Sequence, residues 1–153
     1  MSNINIKRVV EYIEIPYELL YLADPSKESI NDYISRGDLY VAYIENEVVG
    51  AYVILKTRSL TAEIMNISVK EAYQQKGIGK VLIEHAISTS KNLNIKTLEV
   101  GTGNSSIYQL AFYQKCGFRI VGVDKDFFKK HYNEKIVENG IECIDMIRMS
   151  MDL

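Results

Sequence analysis

Apolar residues fall at Ile30, Tyr33 and Ile34 within KESINDYISRG, the three-to-four spacing of one helical face, with Ser26 placed as an N-cap and Gly37 as the stop. From Leu39 the pattern changes. LYVAYI, the polar ENE and VVGAYVILK read as two strands joined by a tight turn at Glu45 and Asn46, an antiparallel hairpin. Thr61 to Val69 (TAEIMNISV) reads as a third strand; strict alternation puts Ile64, Asn66 and Ser68 on one face and Glu63, Met65, Ile67 and Val69 on the other. After the polar KEAYQQK come Gly77 and Gly79, and then a helix whose inner face is traced by Val81, Leu82, His85, Ala86 and Thr89. Ile95 to Val100 is a strand expected to stop at Gly101 to Gly103, a break able to splay it from its neighbour. Asn104 or Ser105 is placed to cap the next helix, which carries Ile107, Leu110, Ala111 and Tyr113 and ends at a left-handed Gly117. Phe118 to Val123 resumes a strand, and Ile141 to Met151 is read as the last one. Strands first, then strands alternating with helices, make an α/β chain with a mixed sheet.

Composition adds limits to this picture. The 153 residues, 47% of them hydrophobic, suit one domain spanning 1–153 with one sizeable core. Eighteen Lys and Arg against 20 Asp and Glu leave a formal charge of -2, no footprint for nucleic acid or an anionic membrane. Cys116 and Cys143 have neither CxxC spacing nor further cysteines, so no metal site and no disulfide framework is expected. MSNINIKRVVEY lacks the apolar core of a signal peptide, and no apolar run approaches the roughly 18 residues of a membrane span. A cytoplasmic location is the expectation.

Chemistry concentrates in Gln74-Gln75-Lys76-Gly77-Ile78-Gly79-Lys80, a polar turn that opens a helix shortly after a strand. Glycines let the backbone approach a ligand, and the free N–H groups of a helix N-terminus point at an anion with the helix dipole behind them. The turn is thus either a phosphate cradle or a simple cap. Gly79-Lys80 is followed by Val81 where a Walker loop needs Ser or Thr, and Leu82 stands where a Rossmann fingerprint needs its third glycine. Both nucleotide motifs are excluded.

Gln74-x-x-Gly77-x-Gly79 resembles the Q/R-x-x-G-x-G/A signature of the GNAT superfamily of acyl-CoA N-acyltransferases. The strand TAEIMNISV before it, the strand TLEVGTG after it and the Tyr-x-x-x-Gly-Phe of FYQKCGF follow the same family order, so the resemblance covers roughly residues 39 to 123. It implies a central mixed, mostly antiparallel sheet of about six to seven strands flanked by about four helices. It also implies acetyl-CoA as co-substrate, no metal, and an amine of a small molecule or protein as acceptor, in a monomer or homodimer. Carried over residue by residue, backbone groups of Ile67 and Val69 pair with the pantetheine arm. The segment from Gln74 through Gln75, Lys76, Gly77, Ile78, Gly79 and Lys80 holds the pyrophosphate. Asn104 either contacts CoA or caps a helix. Tyr113 either donates a proton to the departing thiolate or packs in the core. Glu63 is either a general base for the amine or a structural carboxylate, since an amine of pKa near roughly 10.4 is mostly protonated at neutral pH. His85 reads as a packed helix residue, and Cys116, without a local histidine partner, does not suggest a covalent intermediate. Asp126 to Tyr132 (DFFKKHY) is either an acceptor-lining element or an aromatic cluster under a loop. A CoA-binding module without turnover is the alternative on the same fold. The acceptor amine is not legible.

Overall fold

The computed structural model describes residues 3–153. Seven strands form one sheet in the spatial order β1-β2-β3-β4-β5-β9-β6: β1 (Asn5–Arg8), β2 (Asp38–Ile44), β3 (Glu47–Arg58), β4 (Thr61–Val69), β5 (Thr97–Gly103), β6 (Arg119–Asp124) and β9 (Met146–Asp152). Only β4 and β5 run parallel. A separate two-stranded ribbon joins β7 (Val137–Glu138) to β8 (Ile141–Glu142).

VVGAYVIL in β3 is buried almost continuously, as a strand covered on both faces must be. On one face lie α1 (Tyr17–Leu20) and α2 (Lys27–Arg36), which seat Leu19, Leu20, Ile30 and Tyr33 over Val41, Val53 and Leu55. On the other, α3 (Ile78–Asn92) and α4 (Ile107–Lys115) bury Leu82, Ile83, Ala86 and Tyr113 against Tyr52, Ile64 and Leu98. Ser26 caps α2 as the sequence indicates, its Oγ accepting from the Ser29 amide at 3.1 Å. Glu45 and Asn46, both with positive φ, make the β2–β3 turn.

Several elements differ from the pattern reading. The edge strand β1 is not announced by the sequence, because only Ile4 and Ile6 of this polar stretch reach the core. In α3 the buried line runs through Ile78, Leu82, Ile83, Ala86 and Ser90, while His85 stands half-buried at its margin, sharing a 2.7 Å hydrogen bond with the Tyr52 hydroxyl. The N-cap of α4 is Ser106, neither Asn104 nor Ser105. DFFKKHY contains a short helix, α5 (Phe127–His131). The expected final strand breaks into β8 and β9 because the amides of Ile144 and Asp145 bond to the Asn104 side-chain oxygen instead of a ladder partner.

The Ser90 hydroxyl is buried with no partner among the described residues. Ser90→Ala removes that desolvated group and introduces a better helix former, so a gain of about 1 kcal/mol and a rise of roughly 2–4 °C in Tm are expected. A lower Tm by calorimetry would show that the hydroxyl contributes to the fold.

Candidate active site

The gap between β4 and β5 organises the site. Their parallel pairing runs only from Thr61↔Thr97 to Ile64↔Val100, after which the strands part. The glycines of β5 are not the cause, since β5 continues through Gly101, Thr102 and Gly103 in register with Arg148, Ile147 and Met146 of β9. The irregularity lies in β4, where Ile54 faces Ile64 but Val53 faces Asn66, leaving Met65 as an extra residue. Such a bulge bends its strand and increases the twist.

The bulge also overturns the strict alternation expected of β4. Ala62, Ile64, Ile67 and Val69 all pack toward α3 and α4. Glu63, opposite Leu55, shares the α1–α2 face with Met65, Asn66 and Ser68, not with Ile67 and Val69. Beyond Ile64, β4 has no partner on its β5 side among the described residues. The Lys70 amide donates to Val49 of β3, and two-residue alternation therefore turns the amides of Ile67 and Val69 toward the gap.

At the end of β4 the segment 74–77 folds into a concave turn. Gln75 and Gly77 both adopt left-handed backbone, with φ of 61° and 84°. Alternation of this kind makes successive N–H groups converge into an anion-binding nest. Among the described residues no backbone or capping side-chain acceptor serves the amides of Gln75 to Lys80, which open α3. The Gln74 side chain instead donates to the Val69 carbonyl at 3.0 Å, bracing the turn. Lys76 rests 5.5 Å over the Tyr73 ring. A side chain on Gly79 would press on Phe112 of α4, so this glycine accommodates close helix packing as well as an open turn.

Tyr113 is positioned by the way α4 ends. The Phe118 amide donates to the Tyr113 carbonyl and the Gly117 amide to that of Gln114, the paired bonds of a Schellman motif around a left-handed Gly117. Its customary apolar contact is the edge-on packing of Tyr113 and Phe118, with ring centroids 5.8 Å apart. The FYQKCGF sequence thus plants Tyr113 in the cluster that also holds Ile64, Ile67 and Val100, where the strands part. Among the described residues its hydroxyl receives only a long 3.4 Å bond from Gln109, and burial pushes its pKa well up, so the phenol stays a neutral donor.

Glu63 lies on the opposite face. It is largely buried, 3.4 Å from the Arg148 guanidinium, and burial raises its carboxyl above the usual range against the pull of Arg148. Arg148 also reaches Asp124 at 3.2 Å and stacks over Phe127 of α5. Neither Arg148 nor Asp124 is signalled by local sequence, because β9, β6 and α5 meet only in three dimensions. The same holds for Asp24, which accepts from the hydroxyls of Tyr33 (3.1 Å) and Tyr132 (3.0 Å) and thereby ties the α1–α2 segment to the chain after α5. Asn66 continues this network, donating to Tyr33 and to the Leu20 carbonyl and accepting from Ser68. The Asn104 side chain bonds Ile144, Asp145 and Glu142 and tethers the connection before β9. Cys116 bears no nucleophile signature; its thiol is pushed up by burial.

Residues 6–118, which hold the parted strand pair and the nest of free amides, match the Acetyltransferase (GNAT) family. The chain belongs to that family and is an N-acetyltransferase. It is 52% identical over all 153 residues to the uncharacterized N-acetyltransferase YvbK of Bacillus subtilis (strain 168), covering 100% of this chain and 99% of that one. Among solved structures, a GNAT family acetyltransferase from Elizabethkingia anophelis with acetyl-CoA bound superposes with a TM-score of 0.98 at 50% identity, covering 100% of each chain. An acetyltransferase from Bacillus subtilis in complex with CoA gives 0.94 at 52% identity, covering 99% of each. No helix of the described residues is long and apolar enough to cross a membrane, and no group of His, Cys, Asp and Glu among them is arranged to hold a metal ion.

Proposed function

We propose that this chain, as one GNAT domain, transfers the acetyl group of acetyl-CoA to a primary amine of a small molecule or protein by direct attack. The observation that carries the reading is the gap between β4 and β5, which has Tyr113 on one face of the sheet and Glu63 on the other. Acetyl-CoA fits the parts present: the free amides of Gln75 to Lys80 suit its pyrophosphate, and the gap-facing backbone of Ile67 and Val69 suits its pantetheine arm. The amine arrives on the α1–α2 face and gives its proton to Glu63, directly or through water. Its nitrogen bonds to the acetyl carbon, the carbon–sulfur bond breaks, and Tyr113 protonates the sulfur. A gap-facing amide of β4 polarises the acetyl oxygen.

The test is thiol release from acetyl-CoA across panels of polyamines, amino acids, aminoglycosides and peptides, with the acetylated product confirmed by mass. Calorimetric binding of acetyl-CoA with no acetylated product from any panel would instead support the non-catalytic module. A second measurement addresses the nest. Gly77→Val forces a β-branched residue into left-handed backbone, so about 1–2 kcal/mol of stability is lost. Misplacing one charge-assisted N–H bond to phosphate costs about 2 kcal/mol more, and acetyl-CoA affinity is expected to fall roughly 30-fold. Loss of stability with unchanged affinity would reduce Gly77 to a helix start.

A further inference from the structure

We propose that Arg148 is a positioning residue for acetyl transfer, its guanidinium holding the Glu63 carboxylate at the acceptor-side mouth of the gap between β4 and β5. This rests on the reading of Glu63 as the base. The geometry is built from five elements. Arg148 comes from β9 and pairs in register with Gly101 of β5, where an added Cβ would collide with Met146 and lie in ordinary contact with the guanidinium. The bare backbone of Gly101 therefore leaves a lane along which Arg148 crosses from β9 toward β4. One guanidinium nitrogen lies 3.4 Å from Glu63 and the other 3.2 Å from Asp124 of β6. Phe127 of α5 closes the lane from above, with Arg148 5.6 Å over its ring. A planar cation held between two carboxylates and a ring is fixed in direction as well as charge, which a lysine is not.

The other charges near Glu63 do not replace it. Glu99 of β5 stands beside Glu63 in the parallel register and is itself paired with Arg58 of β3 at 3.1 Å. His131 of α5 lies behind the Phe127 ring, 4.5 Å between centroids. Burial and Glu99 favour the protonated carboxyl, and Arg148 is the largest opposing influence, with Arg58 the lesser one. A largely buried base that must accept a proton has to start without one, so the cation that keeps it ionised and aimed also sets the pH at which it works. Asp124 competes for the same cation. The two neighbours should therefore act on Glu63 with opposite signs.

The experiment uses water as the acceptor, so that no amine titration intrudes. In acetyl-CoA hydrolysis the water oxygen bonds to the acetyl carbon and gives one proton to Glu63, the carbon–sulfur bond breaks, Tyr113 protonates the sulfur, and CoA thiol leaves with acetic acid, which ionises to acetate. Thiol release is followed against pH for the wild type, Glu63→Gln, Arg148→Met, Arg148→Lys and Asp124→Asn, alongside ¹³C NMR titration of the Glu63 carboxyl. Glu63→Gln is expected to abolish the acid limb. Arg148→Met should move the limb and the carboxyl midpoint to higher pH and slow release about tenfold at pH 7, with acetyl-CoA binding unchanged. Arg148→Lys should recover part of the rate, and Asp124→Asn should move the limb to lower pH. A general loosening of the fold does not produce shifts of opposite sign. If Glu63→Gln releases thiol like the wild type at every pH, the base reading fails and this inference with it. If the limb depends on Glu63 but stays in place in Arg148→Met and in Asp124→Asn, Arg148 alone is removed.

Discussion

Tyr113→Phe is expected to lower kcat about 10²- to 10⁴-fold while leaving acetyl-CoA affinity nearly unchanged. The ring of residue 113 is held by Phe118 and Phe112 whether or not it carries a hydroxyl, so packing survives the change. What disappears is a donor that burial keeps neutral and whose only partner among the described residues is the distant Gln109 amide. Residual activity is expected for a physical reason: a thiol of pKa near roughly 8.5 leaves as thiolate without full proton transfer. The acid therefore contributes a bounded factor. Measured where chemistry limits turnover, an unchanged kcat would return Tyr113 to the core-packing role.

The larger loss of stability is expected from Asp24→Ala, about 3 kcal/mol by urea denaturation, or roughly 6–12 °C in Tm. Asp24 is buried and accepts three bonds, from the hydroxyls of Tyr33 and Tyr132 and from the Ser26 amide. Truncation strands those donors in a site that burial has already made hostile to charge, as the raised pKa of both tyrosines indicates. Asp24→Asn keeps an acceptor oxygen and should lose less. Because Tyr132 lies 108 residues away, the same substitution unfastens the two segments flanking the face on which we propose the amine arrives. The Michaelis constant for the amine should therefore rise while acetyl-CoA binding holds. A loss below about 1 kcal/mol would mean that water replaces the carboxylate without penalty.

How much of this was legible varies by element. The β2–β3 hairpin, the Ser26 cap and the Gly117 helix end could be read directly, because each depends on residues within one or two turns of chain. Bulge formation in β4 could not. TAEIMNISV alternates plausibly in either phase, and only pairing with β3 shows that Met65 is the extra residue and moves Glu63 to the face of Asn66. Asn104 illustrates the same limit: the chain that its side chain tethers arrives from forty residues away.

The sequence by itself determined the family, through its Gln74-x-x-Gly77-x-Gly79 signature, and the left-handed helix end at Gly117, since helix ends are local properties of glycine and its neighbours. Tertiary structure alone decided which face Glu63 occupies, and that Arg148, Asp124 and Phe127 surround its mouth. It alone also showed that Asp24 joins Tyr33 to Tyr132. Those relations depend on register and on residues 9 to 108 apart, and hydrophobic periodicity, which fixes only the inward face of each element, carries no information about which distant charge will lie opposite.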